Sequence, residues 1–366
     1  MRLLTKLILA ALLVCTVPFA TADASDHAHA KLESRVSAII ERMSEELSPA
    51  ERIALTPESA ADFLSADERQ YLGTAFSRFR VDQPAVIYVA FDASYGEIPF
   101  WLLDQEFTRR SALDFIVDEE DPYHVWSKRV APGEVNLGVP SLSGELKPYL
   151  VFAGPAITGQ KGKRVVEITP LMPGTDVQVA KVGGKPFVDD NDYFNTLPEA
   201  LAGLPVLRSF ESWELVSRFV GYFRETRYPS SPRPDHLQLT WQGDPATSAT
   251  VQWRTDDSVG GGVLWVAPKD RFLKMGDKAV QRKKAQYTEL RSRQVVNDPV
   301  VHLHRVTLEN LSPATDYLYA VSGDNGNTWT TPREFRTAAS APSEPFSFVY
   351  LGDPQNGLDR WGQLIR

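Results

Sequence analysis

The chain carries one cysteine, Cys15, in 366 residues. A lone thiol forms no internal disulfide and excludes every zinc pattern built on paired thiolates. Histidine is scarce at six residues and methionine at four, so imidazole and thioether ligands are few. There is no basic block: 47 Asp and Glu stand against 39 Lys and Arg, for a net charge of −8. That balance argues against a nucleic-acid or anionic-membrane partner. No Gly-rich phosphate loop and no nucleophile elbow occurs. The almost wholly apolar stretch Leu7–Val17 is too short to span a bilayer, and no later run reaches spanning length.

What is present begins with an export signal. Met1-Arg2-Leu3-Leu4-Thr5-Lys6 is a short basic region, Leu7–Val17 an apolar one, and Ala20-Thr21-Ala22 a small-x-small cleavage site. Residues 1–22 therefore read as a secretory signal peptide. Val14 precedes Cys15 where a lipid anchor requires a small residue, so no lipoprotein is expected. Cleavage would remove Arg2, Lys6 and Cys15, moving the net charge from −8 to −10. The expected mature protein is a bacterial periplasmic or secreted chain without disulfides or a transmembrane anchor, held by core packing alone. Its oligomeric state is not legible.

Periodicity divides the rest. Leu32, Val36, Ile39, Ile40, Met43 and Leu47 recur at helical spacing over 31–47. A second helix is expected from Thr56-Pro57, with Thr as cap and Pro in the first turn, and a third from Ser65 to Phe79. Ala85–Phe91 is β-branched and aromatic and reads as a buried strand, with similar segments near 113–117, 134–139, 148–153, 164–168 and 176–182. A helical stretch is expected at 197–224. Residues 229–235, rich in Pro and Ser, form a linker. Short alternating strands then follow at 237–241, 249–255, 263–266, 285–296, 300–308, 315–322 and 332–337, which implies a β-sandwich. A second linker spans 339–345. Residues 345–351, Pro-Phe-Ser-Phe-Val-Tyr-Leu, read as a buried strand ending in Gly352-Asp353-Pro354-Gln355. This last strand is not expected to be stably folded without sheet neighbours. Leu171–Asp176 echoes Leu311–Asp316, either through a repeated sandwich or through shared turn chemistry.

Residues 232–337 resemble the N-terminal fibronectin-III-like domain of purple acid phosphatases. The resemblance rests on Leu237-Gln238-Leu239-Thr240-Trp241, on Val251-Gln252-Trp253-Arg254-Thr255, and on the run His304–Tyr319 with its element Leu311-x-Pro313-x-Thr315-x-Tyr317. Pro313 sets a turn, Leu311 fills the core, and Tyr317 packs its ring inside while its hydroxyl bonds back to the connecting loop. In that family the sandwich leads into a metallophosphoesterase domain that opens with Gly-Asp-x-Gly after a strand. Here the last Gly is Gln355, a variant seen in the wider calcineurin-like phosphoesterase group. The implied fold is mainly β with helical segments. It comprises an α+β accessory domain over 23–228, the sandwich over 236–338, and from 346 to 366 the first strand of an α/β metallophosphoesterase domain.

By that resemblance Asp353 would ligate the first of two metal ions, iron paired with zinc, manganese or iron, with Gln355 lining the site or reaching a neighbouring group. The ions would bind a phosphate ester and activate water for in-line attack. The further Asp, Asn and His ligands that such a centre needs do not follow Asp353, since His27, His29, His124, His236, His302 and His304 all precede it. The chain is thus expected to be the N-terminal part of a longer acid phosphatase and to be inactive alone. The alternative is a non-catalytic extracellular sandwich that binds a partner. Lesser candidates are His27 with His29, His302 with His304, the acidic runs Asp118–Asp121 and Asp189–Asp192, and a carbohydrate platform from Trp241, Trp253 and Trp265. Their ordinary readings, in the same order, are a solvated tail, core histidines, surface loops and core aromatics.

Overall fold

The computed structural model describes residues 30–94, 96–118, 120–143, 148–156, 165–189, 191–209, 217–340, 347–352 and 360–362. Residues 1–22, where a signal peptide was expected, and with them Cys15, lie outside these, as do His27 and His29. The chain divides into two compact units, Met1–Glu225 with Arg293–Val296, and Thr226–Ser292 with Asn297–Arg366.

The first unit opens with α1 (Ala30–Glu46), which buries Leu32, Val36, Ile39, Ile40 and Met43 on one stripe. Three short helices follow, α2 (Pro49–Ile53), α3 (Pro57–Phe63) and α4 (Ala66–Leu72). Each begins with a reciprocal capping box, Ser48 with Glu51, Thr56 with Ser59, and Ser65 with Glu68. Such boxes satisfy amide donors that a helix this short cannot otherwise pair. The helix expected to reach Phe79 stops at Leu72. Gly73 caps it, and Ser77–Val81 pairs as strand β1, its alternation burying Phe79 and Val81.

The remaining elements of this unit are β2 (Ala85–Asp92), α5 (Phe100–Asp104), β3 (Thr108–Arg109), β4 (Phe115–Val117), β5 (Asp121–Val130), β6 (Gly133–Leu137), β7 (Leu150–Pro155), β8 (Ile168–Pro170), β9 (Asp176–Val179) and β10 (Pro205–Arg208). They form a three-stranded sheet, β6-β1-β8, and a seven-stranded sheet in the order β3-β5-β2-β7-β10-β9 with β4 on β5. The large sheet is covered on both faces. Ile87, Val89, Phe91, Val151 and Ala153 join the core of the helices, while Ala90, Leu150 and Phe152 join a second core with Phe115, Tyr123 and Phe194. A strand buried on both faces cannot alternate apolar with polar, which is why Ala85–Phe91 reads as a continuous apolar run.

The helix expected over 197–224 does not form in its described part. Pro205–Arg208 is a strand, Leu201 is buried in a turn, and Phe219 and Phe223 reach the core outside any helix. Pro198 and Pro205 remove amide donors, and Gly203 and Gly221 adopt left-handed φ of 81° and 69°. The apolar spacing persists in sequence, but the backbone around these prolines and glycines does not wind into a helix.

The second unit is an antiparallel sandwich of β11 (Asp235–Thr240), β12 (Ala249–Asp256), β13 (Val263–Pro268), α6 (Lys269–Met275), β14 (Gln281–Lys284), β15 (Gln286–Arg291), β16 (Val300–Leu308), β17 (Asp316–Ser322) and β18 (Arg333–Arg336). One sheet is β11-β12-β16-β15 and the other β14-β13-β17-β18. Between them lie Val251, Trp253, Leu264, Val266, Val306, Leu308, Tyr317, Tyr319 and Val321. The strand expected over 285–296 is shorter, only β15 over Gln286–Arg291, while β14, directly before it, pairs in the other sheet. At the crossing, the Ala285 amide donates to the Gly262 carbonyl at 2.8 Å. Ser347–Gly352, within the strand-like segment not expected to fold stably without sheet neighbours, carries no strand, and Phe348, Val349 and Tyr350 are exposed.

Candidate functional site

The two residues on which a metal centre was expected, Asp353 and Gln355, lie outside the described residues. Among the described residues no group of three or more His, Cys, Asp or Glu side chains converges as a metal site would require.

The element Leu311–Tyr317 is a closed corner. Leu311 packs against the sandwich core, and Tyr317 is buried with its ring stacked on Phe335 at 5.4 Å. The Tyr317 hydroxyl accepts the Ser312 amide at 2.9 Å, and the Thr315 hydroxyl donates to the Pro313 carbonyl at 2.8 Å. Thr337, itself buried, closes the corner from the far strand. Its hydroxyl donates to the Ser312 carbonyl at 2.6 Å and accepts the Thr315 amide at 2.9 Å. The ring thus supplies core area while its oxygen fixes the loop, so the signature does structural work. The resemblance marked Phe335-Arg336-Thr337 as the close of the domain, but not the hydroxyl tie that Thr337 makes. Its only signal was its place at the end of the last strand.

His302 and His304 sit two apart on β16, both buried, with rings 6.3 Å apart. The His302 Nδ1 lies 2.8 Å from the Val259 carbonyl, which makes that nitrogen a donor. Thr255 gives its own proton to the Asp256 carbonyl, so it accepts from His304 Nε2 at 2.8 Å. His304 Nδ1 is left a buried lone pair with no partner among the described residues. Its ring stacks on Trp253 at 5.4 Å. Burial, and then the neighbouring His302, push the His304 pKa down to about 4. The pair is buried, and no third ligand joins it among the described residues.

Of the described residues in the acidic runs, Asp118 and Glu120 lie in turns, Asp121 opens β5, and Asp189 lies in a bend. The Asp118 amide donates to the Tyr193 carbonyl in a left-handed conformation, and Asn191 accepts from Lys185 at 3.1 Å, while Glu119 and Asp190 lie outside the described residues. Trp253 and Trp265 are buried and Trp241 is exposed, so the three tryptophans share no platform.

With this geometry in hand, comparison with known proteins locates the sandwich. Residues 234–337 match the family described as purple acid phosphatase, N-terminal domain. Two proteins of Mycobacterium tuberculosis, the uncharacterized proteins Rv2577 and MT2654, are each 34% identical over 126 residues. The match covers 34% of this chain, which spans about a fifth of those relatives, 21% of their length. Among solved structures, the fn3 domain of human contactin 1 aligns at 18% identity and TM-score 0.22, over 34% of this chain and 91% of that one. An fn3 domain of human collagen alpha-1(XX) aligns at 20% identity and TM-score 0.20, over 34% and 100%. The assignment of a sandwich rests on the strand pairing given above. Among the described residues no helix is long and apolar enough to cross a membrane.

Proposed function

We propose that this chain is the N-terminal part of an exported, metal-dependent phosphoesterase of purple acid phosphatase type. The sandwich is the accessory domain in front of the catalytic one. The observation that carries the proposal is the family match over 234–337, followed within twenty residues by Gly352-Asp353-Pro354-Gln355. On this reading Asp353 is the first carboxylate ligand of a two-ion centre whose other ligands lie beyond Arg366. The substrate is a phosphate ester. The ions, when bound, supply Lewis-acid charge and a water acidic enough to attack phosphorus at neutral pH. The segment 30–366 then contributes folding and placement, and the chain alone does not turn over.

The test is in two parts. The coding DNA is read beyond codon 366, where a frame supplying an Asp with a nearby Tyr, an Asn-His pair and paired His ligands is expected. The protein of that full frame is then expected to hydrolyse p-nitrophenyl phosphate in a chelator-sensitive way, and the Asp353→Asn variant to be severely impaired. A frame without such ligands sinks the proposal and leaves a binding sandwich.

A further inference from the structure

The core face of the seven-stranded sheet changes character towards one end of β5. Residues two apart on a strand share a face. Along β5, Tyr123 and Val125 are buried in the second core, and the next positions on that face are Ser127 and Arg129. Tyr88 and Thr108 pair with Ser127 from either side, and Val86 pairs with Arg129. A strand that needed only to fill a core would continue with apolar residues here. Instead these positions border a cavity of about 520 Å³, a volume in the range of small-molecule sites.

The polar groups in this cavity are short of acceptors. Ser127 is buried, and its oxygen accepts Arg110 Nε at 2.8 Å. Its own proton goes to no described residue. That bond pins the Arg110 side chain and leaves both Nη groups free to donate, since no ion pair engages Arg110 among the described residues. Lys128 and Arg129 also border the cavity, against one carboxylate, Glu106. Among the described residues neither cation is paired with an acid. The apolar part of the lining is Val86 and Tyr88, beside Arg129 and Ser127 on the neighbouring strand, with Leu113 and Pro155.

We propose that this pocket binds a small organic anion, a phosphate or sulfate monoester or a phosphonate, with an apolar body. The guanidinium of Arg110, held in place by Ser127, would take the oxyanion, as planar forks of N–H donors do. The Ser127 and Thr108 hydroxyls would supply donors from a different direction, which suits a tetrahedral group better than a planar carboxylate. Arg129 would close the far side, and the apolar group would lie against Val86 and Tyr88. The proposal is independent of any catalytic role for Asp353.

Phenylphosphonate, which is not an ester and cannot be hydrolysed, is the direct probe. Isothermal titration of the chain is expected to give saturable binding, about tenfold tighter than inorganic phosphate or benzoate. Arg110→Gln and Arg129→Gln are each expected to weaken it by about tenfold, with melting temperatures close to that of the parent. Glu106→Gln, which removes the one opposing charge, is expected to strengthen it. Absence of saturable binding, or binding unmoved by either arginine variant, overturns the proposal. Equal affinity for phenylphosphonate and inorganic phosphate overturns the assignment of an organic ligand.

Discussion

Tyr317 shows how one side chain can hold a loop and a core together. Its ring is buried beside Phe335, and its oxygen accepts the Ser312 amide. Tyr317→Phe keeps the ring and removes the acceptor, so urea denaturation is expected to show a loss of about 1 kcal/mol, typical of one hydrogen bond. His304 poses a different question, because burial holds its pKa near 4 against an ordinary value of about 6.5. Below about pH 6.5 the unfolded chain takes up a proton that the folded sandwich refuses. Stability from this group is therefore complete above about pH 6.5 and lost as the pH falls towards 4. The loss amounts to about 3 kcal/mol over that interval. Denaturation midpoints at pH 7 and pH 4.5 are expected to differ by more in the parent than in a His304→Phe variant, which has no proton to gain. Equal shifts in the two proteins would show that the ring does not titrate in this way.

At the scale of elements, what was legible depended on whether a local signal competed with a tertiary one. The capping boxes of α2 to α4 are sequence-local, and the start of α3 at Pro57 is marked by Thr56 directly before it. Ser65→Ala removes the hydroxyl that accepts the Glu68 amide. It is expected to cost about 1 kcal/mol, read as a lower melting temperature of the helical unit. Glu68 also pairs with Arg42 at 2.6 Å, so Ser65→Thr, which retains an acceptor, is expected to restore most of the loss. Beyond Leu72 the apolar spacing fitted a helix as well as a strand, and pairing with β6 decided the matter. Over 197–224 the spacing again fitted a helix, and in the described part Pro205 with two left-handed glycines overruled it. The echo between Leu171–Asp176 and Leu311–Asp316 is turn chemistry. Gly174 and Ala314 both have positive φ, 73° and 49°, and Thr175 and Thr315 each bond a carbonyl within the turn. The sheets of three and seven strands in the first unit do not repeat the two four-stranded sheets of the second.

At the scale of the whole chain, the sandwich is complete before the residues that raise the question of catalysis. Its core closes with Phe335, and its last loop is tied by Thr337, whose hydroxyl meets Ser312 and Thr315. Pattern made the sandwich readable, because strands of alternating burial leave a period of two in the sequence. The pocket around Arg110 was not readable, because Arg110 follows β3 while Ser127 and Arg129 stand on β5, and they meet only through the pairing of β3 with β5. Phe348, Val349 and Tyr350 lie beyond the sandwich and are 78%, 81% and 87% exposed. A row of large apolar side chains in water is a site for association rather than a source of stability. Ending the chain at Ala339 is therefore expected to leave the melting temperature of the sandwich within about 2 °C, since its buried residues and the Thr337 tie are all retained. The same truncation is expected to reduce concentration-dependent association in sedimentation velocity. A melting temperature lowered by about 5 °C or more would instead mean that the apolar segment packs on the sandwich in solution. In that event its strand-like composition would reflect a role within this chain rather than the opening of a following catalytic domain.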